Sequence, residues 1–275
     1  MNETSEAPSS EHDQWLERLN AMVPFVRRWS EFIKHPVPPE QGSELDRDSM
    51  EGLDVEATAW YLLCVSVEHF NFIFDVIQKT RTMYPTAYMT VARTAFLAGV
   101  NALWLLSAED RNLRRKRALK LVAGGLKEEI VAINEFETSE DLIGLRDAQI
   151  EELRRQQTDL QKVAERLGVF EEVQKMRPNQ TVIVTETIEA LEGGAATREI
   201  ANGFKHIWRA GSAAAHAQHH FGISRLSENS IFQTADGQNI AILKGRLEDD
   251  VGPALAGVFL ALRRVFELYE RMRSK

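Results

Sequence analysis

Two long apolar runs set the tightest limit on what this chain can fold into. Residues 54–81 are nearly continuous in apolar and aromatic side chains, and residues 87–106 repeat that character after a Tyr84-Pro85 turn. Uninterrupted runs well beyond the ~5–6 residues of an ordinary strand read as helices. Ser107-Ala-Glu-Asp110 carries the pattern of a serine followed three residues later by an acid, and opens a further helix to about residue 136. Thr138-Ser-Glu-Asp141 opens a charged helix to about residue 167 in the same way. Leu153, Leu160 and Leu167 recur there every seven residues, which fits either a coiled-coil arm or an α-hairpin folded back on the bundle. Gly124-Gly125 is expected to interrupt its helix. The β-branched run at 181–191 has helical spacing and is read as a helix ended by Gly193-Gly194.

One β signal stands out. Residues 223–234 and 239–243 flank Ala235-Asp-Gly-Gln238, an Asp-Gly turn joining two short strands. A last helix, residues 249–272, carries Leu255, Phe259, Leu262 and Phe266 at helical spacing. The expected architecture is therefore all-α: an up-and-down helical bundle with a core at 54–136 and 197–272, a charged helical insertion at 138–192 and one short β-hairpin. Residues 1–11 are expected to be a disordered tail, and residues 12–34 an N-terminal helix bent or restarted at Pro24. Residues 35–54, with Pro36, Pro38, Pro39 and Gly42, read as a linker.

Composition narrows the function only a little. The formal charge of −8 argues against a surface that is basic throughout, yet leaves room for a local basic site. Cys64 is the only cysteine, so no internal disulfide can form, and it reads as a buried thiol. The polar N-terminus has no apolar core of the kind a secretory leader needs, and Arg93 interrupts the apolar run at 86–106. A cytoplasmic protein without a membrane span is expected.

Chemistry is concentrated in residues 204–220, FKHIWRAGSAAAHAQHH. Read as one helix, it places His206, Arg209, His216 and His220 near one face, at spacings of three, seven and four. The small residues 210–215 would let another helix or a ligand come close. A histidine can act as general base or acid near neutral pH, and a guanidinium can hold a phosphate. RNA cleavage without metal needs little more, because the ribose 2′-hydroxyl is the nucleophile once a base removes its proton. Equally, Arg209 and His216 could satisfy buried acceptors or pair with a carboxylate.

An Arg and a His on one helix with four to six residues between them, as Arg209 and His216 stand with six, resemble the defining motif of the HEPN superfamily. That resemblance implies a helical bundle, ribonuclease activity, and a homodimer in which the Arg and His of two protomers meet. It makes Arg209 and His216 the catalytic pair, with His206, Ser212 and Arg93 in support. Ala210 departs from the pattern, since active members usually carry a polar residue after the Arg. A second similarity spans residues 92–111, ARTAFLAGVNALWLLSAEDR, and the later WRAGSAAAH. These stretches look like a group of uncharacterised bacterial helical proteins with an Arg-x-x-Leu-Glu helix. Here Phe96 and Leu97 stand where Leu-Glu is usual, so the acid is missing.

Three further constellations have both a functional and a bland reading. His216 and His220 one turn apart, with His69 from another helix, could form a divalent-metal site like that of three-His DinB-like bundles, or could be ordinary surface histidines. Arg114, Arg115 and Arg117 in RNLRRKRALK could track an RNA backbone, or could pair with the acidic stretch at 140–152. Arg93 is costly to bury alone and should pair, with Glu68 a candidate, or lead into a cleft. No Gly-rich phosphate loop, Ser nucleophile elbow or Cys-based site is present, and no cofactor is called for. The expected function is metal-independent cleavage of RNA in a toxin-like or phage-defence setting. The alternative is a non-catalytic helical binding module for a protein or nucleic-acid partner.

Overall fold

The computed structural model describes residues 10–191, 198–226 and 230–275. Ten α-helices and one two-stranded hairpin make up its described regular structure, together with three short 3-10 or π turns, so the all-α bundle with one hairpin stands. Residues 1–9 of the expected 1–11 tail, the Gly193-Gly194 stop and the start at Thr197 lie outside the described residues, while Ser10 and Glu11 of that tail cap and open the first helix.

The chain divides into two compact units. The first takes residues up to 36 together with 63–99 and 191–263. Its α1, Glu11–Lys34, opens on a reciprocal capping box: Ser10 Oγ accepts the Asp13 N–H at 3.2 Å, and the Asp13 carboxylate accepts the Ser10 N–H at 3.3 Å. α1 continues without interruption through Pro24, so no new helix starts there. Leu19, Met22, Val26 and Trp29 form one buried stripe across the proline, and that burial outweighs one lost backbone bond. Phe25 and Trp29 meet Phe259 of α10, Gly252–Arg273, at ring distances of 5.3 and 5.4 Å. A π-helical turn at Leu247–Val251 leads into α10, which begins later than the expected start at 249.

The hairpin is shorter than its sequence signal. The first strand, β1, covers Ile231–Gln233, and the second, β2, covers Asn239–Ala241, with Phe232 opposite Ile240. Gly237 takes φ +82°, as the Asp-Gly turn requires. Residue 223 belongs instead to α9, His219–Ile223, because Phe221 is buried and fastens that turn as helix. Residues 227–229 of the expected strand lie outside the described ones.

The second unit takes residues 37–62, 100–190 and 264–275. Here α5, Arg111–Glu135, and α6, Ile143–Arg166, form an antiparallel α-hairpin rather than a free coiled-coil arm. The expected seam is real: Leu153 and Leu160 are buried, and so are Gln157 and Ala164. Gly124 does not interrupt α5. A Cβ there would stand 2.6 Å from Pro178 Cδ, so the glycine admits the α6–α7 connection to the helix surface. The next helix, α7, spans Gln180–Ala190 as expected, with Thr187 Oγ1 donating to the Ile183 carbonyl at 2.6 Å. The expected insertion thus shares its unit with α5 and with the segment read as a linker.

That linker is anchored. It contains α2, Glu44–Asp48, whose Leu45 and Asp48 are buried. Asp48 is 0% exposed and receives both Nε and Nη2 of Arg114, itself 4% exposed, with the second bond at 2.9 Å. Arg114 Nη1 also donates to the Ala108 and Glu109 carbonyls at 2.7 and 2.9 Å. Asp110, not Ser107, caps α5 by accepting the Leu113 N–H at 2.8 Å, because α4 holds Ser107 within its last turn.

By length and composition, α3 (Val55–Thr80) and α4 (Ala87–Ser107) could each cross a membrane. Inside the protein, α4 is largely a core helix, with Tyr88, Met89, Phe96, Leu103 and Leu106 buried, whereas α3 keeps Tyr61 and Phe72 exposed.

Removing one member of a fully buried, bidentate ion pair strands the other, at a cost of about 3–5 kcal/mol. Asp48→Ala should lower the denaturant midpoint accordingly, while substitution of the exposed Glu51 should leave it within about 0.5 kcal/mol of wild type.

Candidate functional site

The strongly amphipathic α8, Arg198–Ala215, carries most of the expected site. Phe204, Ile207, Ala210, Gly211 and Ala213 are buried, while Lys205, His206 and Arg209 face outward and Ser212 is half-buried. Residues 205, 209, 212 and 216 follow one another at three- and four-residue steps, so they line one side of the helix.

The segment 204–220 is not one helix. The His216 N–H donates to Ser212 O at 3.0 Å and is the last regular turn of α8. The Ala217 N–H then bonds Ala214 O at 3.1 Å and the Gln218 N–H bonds Ala213 O at 2.9 Å, with Ala217 at φ +48°. This pair of bonds is the reversal that usually uses glycine at the left-handed position. His220 therefore sits on α9, off the α8 stripe. The reversal is held from beyond: Phe221 is buried, the Arg225 guanidinium lies 4.4 Å from its ring centroid, and Arg225 pairs with Asp250 and donates to Pro85 O at 2.7 Å.

His216 stays exposed at the helix end, seven residues from the exposed Arg209. Seven residues of helix rise roughly 10 Å and close nearly two whole turns, which keeps both side chains on one side.

Arg93, on α4, is brought to α8 rather than to Glu68. Its guanidinium carbon lies 5.0 Å from the centroid of the Trp208 ring. Gly211 makes the approach possible, since a Cβ there would stand 2.6 Å from Arg93 Cβ and 3.1 Å from Met89 O. Among the described residues no carboxylate pairs with Arg93, and Glu68 is exposed. Burial pushes the Arg93 guanidinium below its ordinary pKa, with no neighbouring charge to offset it. Arg93 Nε and Trp208 Nε1 are both buried without an acceptor among the described residues. The small residues expected to admit another helix or a ligand are partly used within the chain, Gly211 by Arg93. Ala214 and Ala215 remain at the surface.

The other constellations do not assemble. His69 Nδ1 lies 2.9 Å from Val65 O on its own helix, and no group of three metal-ligating side chains occurs among the described residues. The arginines of the basic cluster are engaged within the chain. Besides the buried Arg114, Arg115 Nε donates to Asp48 O at 2.8 Å, and Arg117 stacks on Trp104 at 4.8 Å and bonds Glu186 at 3.0 Å. Its partners are Asp48 and Glu186 rather than the stretch at 140–152. Cys64 is half-buried and free, with its thiol pushed up first by burial and then by Glu68.

Two residues of this face went unread in the sequence. Lys205 is exposed one turn before Arg209, and Trp208 supplies the ring under Arg93. Their one signal was position, a turn away from Arg209 and from the glycine. Neither Lys205 nor Arg209 has a partner among the described residues. The chain matches no protein-family model, no curated protein and no solved structure.

Two backbone tests follow from this geometry. Gly211→Ala should cost about 1–3 kcal/mol through overpacking against the Arg93 stem, read as a lowered thermal midpoint. Ala217→Gly should instead stabilise the protein by up to about 1 kcal/mol, by relieving the left-handed alanine.

Proposed function

We propose that this protein is a HEPN-like, metal-independent endoribonuclease that holds RNA on the outer face of α8. One observation carries the reading: in a chain of charge −8, Arg93, Lys205 and Arg209 share one region of α4 and α8, and among the described residues no carboxylate pairs with any of them. An uncompensated cationic face on an acidic protein is suited to a polyanion. Arg209 would hold the scissile phosphate and His216 would take the proton from the 2′-hydroxyl. The 2′-oxygen then bonds to phosphorus, the bond to the 5′-oxygen breaks, and water protonates the departing oxygen. His206 and Ser212 flank this path as supporting groups.

A homodimer belongs to the proposal. In a two-fold pair with the α8 faces apposed, Arg209 of one copy would approach the partner's His216, removing the two-turn separation within a single helix. A cytoplasmic toxin or phage-defence setting is the corresponding role.

A non-catalytic binding module is the second reading. It is favoured by Ala210, which is buried where active relatives of the motif carry a polar group, and by the half-buried Leu97 in place of an acid.

Breakdown of RNA by the purified protein in EDTA decides between them. Wild type should cleave, and His216→Ala and Arg209→Ala should each slow cleavage by about a hundredfold or more. Equal, negligible activity in all three would favour the binding module.

A further inference from the structure

Arg93 differs from the other cations of this region. Lys205 and Arg209 are exposed on α8, placed to follow a flexible phosphate chain. Arg93 is half-buried on α4, its stem pinned over Gly211 and its guanidinium 5.0 Å from the Trp208 ring centroid. Trp208 is itself only half-buried, and its Nε1–H, like the Arg93 Nε–H, is buried without an acceptor among the described residues. A positioned guanidinium beside an indole is a surface on which an unpaired base can stack, because every base offers a π face and polar edges. A paired base in an A-form duplex offers neither, since its faces are covered and its major-groove edges are out of reach.

We infer that Arg93 and Trp208 form a base-stacking subsite beside the phosphate-holding face of α8, which makes single-stranded RNA, and not duplex RNA, the substrate class. The inference rests on the polyanion reading above but not on cleavage. A strand whose phosphates follow Lys205 and Arg209 would turn a base toward α4, where the stacked pair lies. The two kinds of cation then have separate tasks: exposed ones bind any polyanion, and Arg93 with Trp208 selects for accessible bases.

Binding by the full-length His216→Ala protein, which removes the proposed base, tests this without interference from cleavage. A labelled single-stranded RNA, the same sequence as a duplex, and inorganic polyphosphate are titrated at one fixed salt concentration. Single strand should bind about tenfold more tightly than duplex, the value of one stacked base. Arg93→Gln retains the Cβ and Cγ that lie over Gly211, and both it and Trp208→Leu should erase the preference while polyphosphate binding holds. Arg93→Lys keeps charge and stem but not the plane, so it too should lose the preference. Arg209→Gln should weaken all three ligands together. Equal binding of single strand and duplex by the starting protein, or an Arg93→Gln loss as large for polyphosphate as for RNA, overturns the subsite. A thermal midpoint equal to that of the starting protein separates these losses from unfolding. If the preference depends on Arg93 yet wild type never cleaves, the ribonuclease reading falls and the subsite stands. If cleavage requires His216 but single strand is not preferred, the subsite falls and the ribonuclease reading stands.

Discussion

The close approach of α4 to α8 at Gly211 is the contact on which the whole candidate site depends. Arg93 Cβ occupies the space a side chain at 211 would need, so the helices meet there nearly backbone to side-chain stem. That proximity has two consequences. It draws a cation out of an apolar helix onto the Trp208 ring, and it turns the remaining face of α8, with Lys205, His206 and Arg209, outward. Phe96 and Phe204, at 5.0 Å edge to face, secure the same pair of helices one to two turns away. Any larger residue at 211 would separate the helices and return Arg93 to an unsupported position.

Charge is divided between two different uses. In the second unit, arginines lie inside: Arg114 meets the fully buried Asp48, while Arg115 and Arg117 bind backbone carbonyls, Glu186 and the Trp104 ring. Desolvated guanidinium groups of this kind are tolerable because nearly every donor is matched. On α4 and α8 the cations have no such matching, which is why the two basic stretches read alike in sequence and differ in chemistry. A run of six basic residues around 111–120 is the more conspicuous signal, yet three scattered residues, 93, 205 and 209, make a face without a paired carboxylate among the described residues.

Much of the fold was legible because helix periodicity is a local property. The seam of α6 at Leu153 and Leu160, the helical reading of 180–190 and the Asp-Gly hairpin follow from spacing and turn chemistry alone. Breaks were less legible. Pro24 and Gly124 are strong breakers in isolation, but each sits where burial or a close neighbour makes an unbroken helix better. The converse happened at Ala217, where a run of excellent helix formers ends without glycine or proline. Burial of Phe221 and the Arg225–Asp250 pair set that reversal, and both depend on contacts beyond the segment that turns.

By itself, then, the sequence determined an all-α chain, the positions of its long helices, and the placement of Arg209 and His216 two turns apart on one side of one of them. Those properties depend on the repeat of the α-helix, which every segment carries within itself. Only the tertiary structure decided which charges are neutralised, where α8 stops, and that Arg93 and Trp208 come together with no carboxylate among the described residues. Each of these depends on residues far apart in the chain, and the pairing of a buried charge is settled by whichever group packing brings within reach.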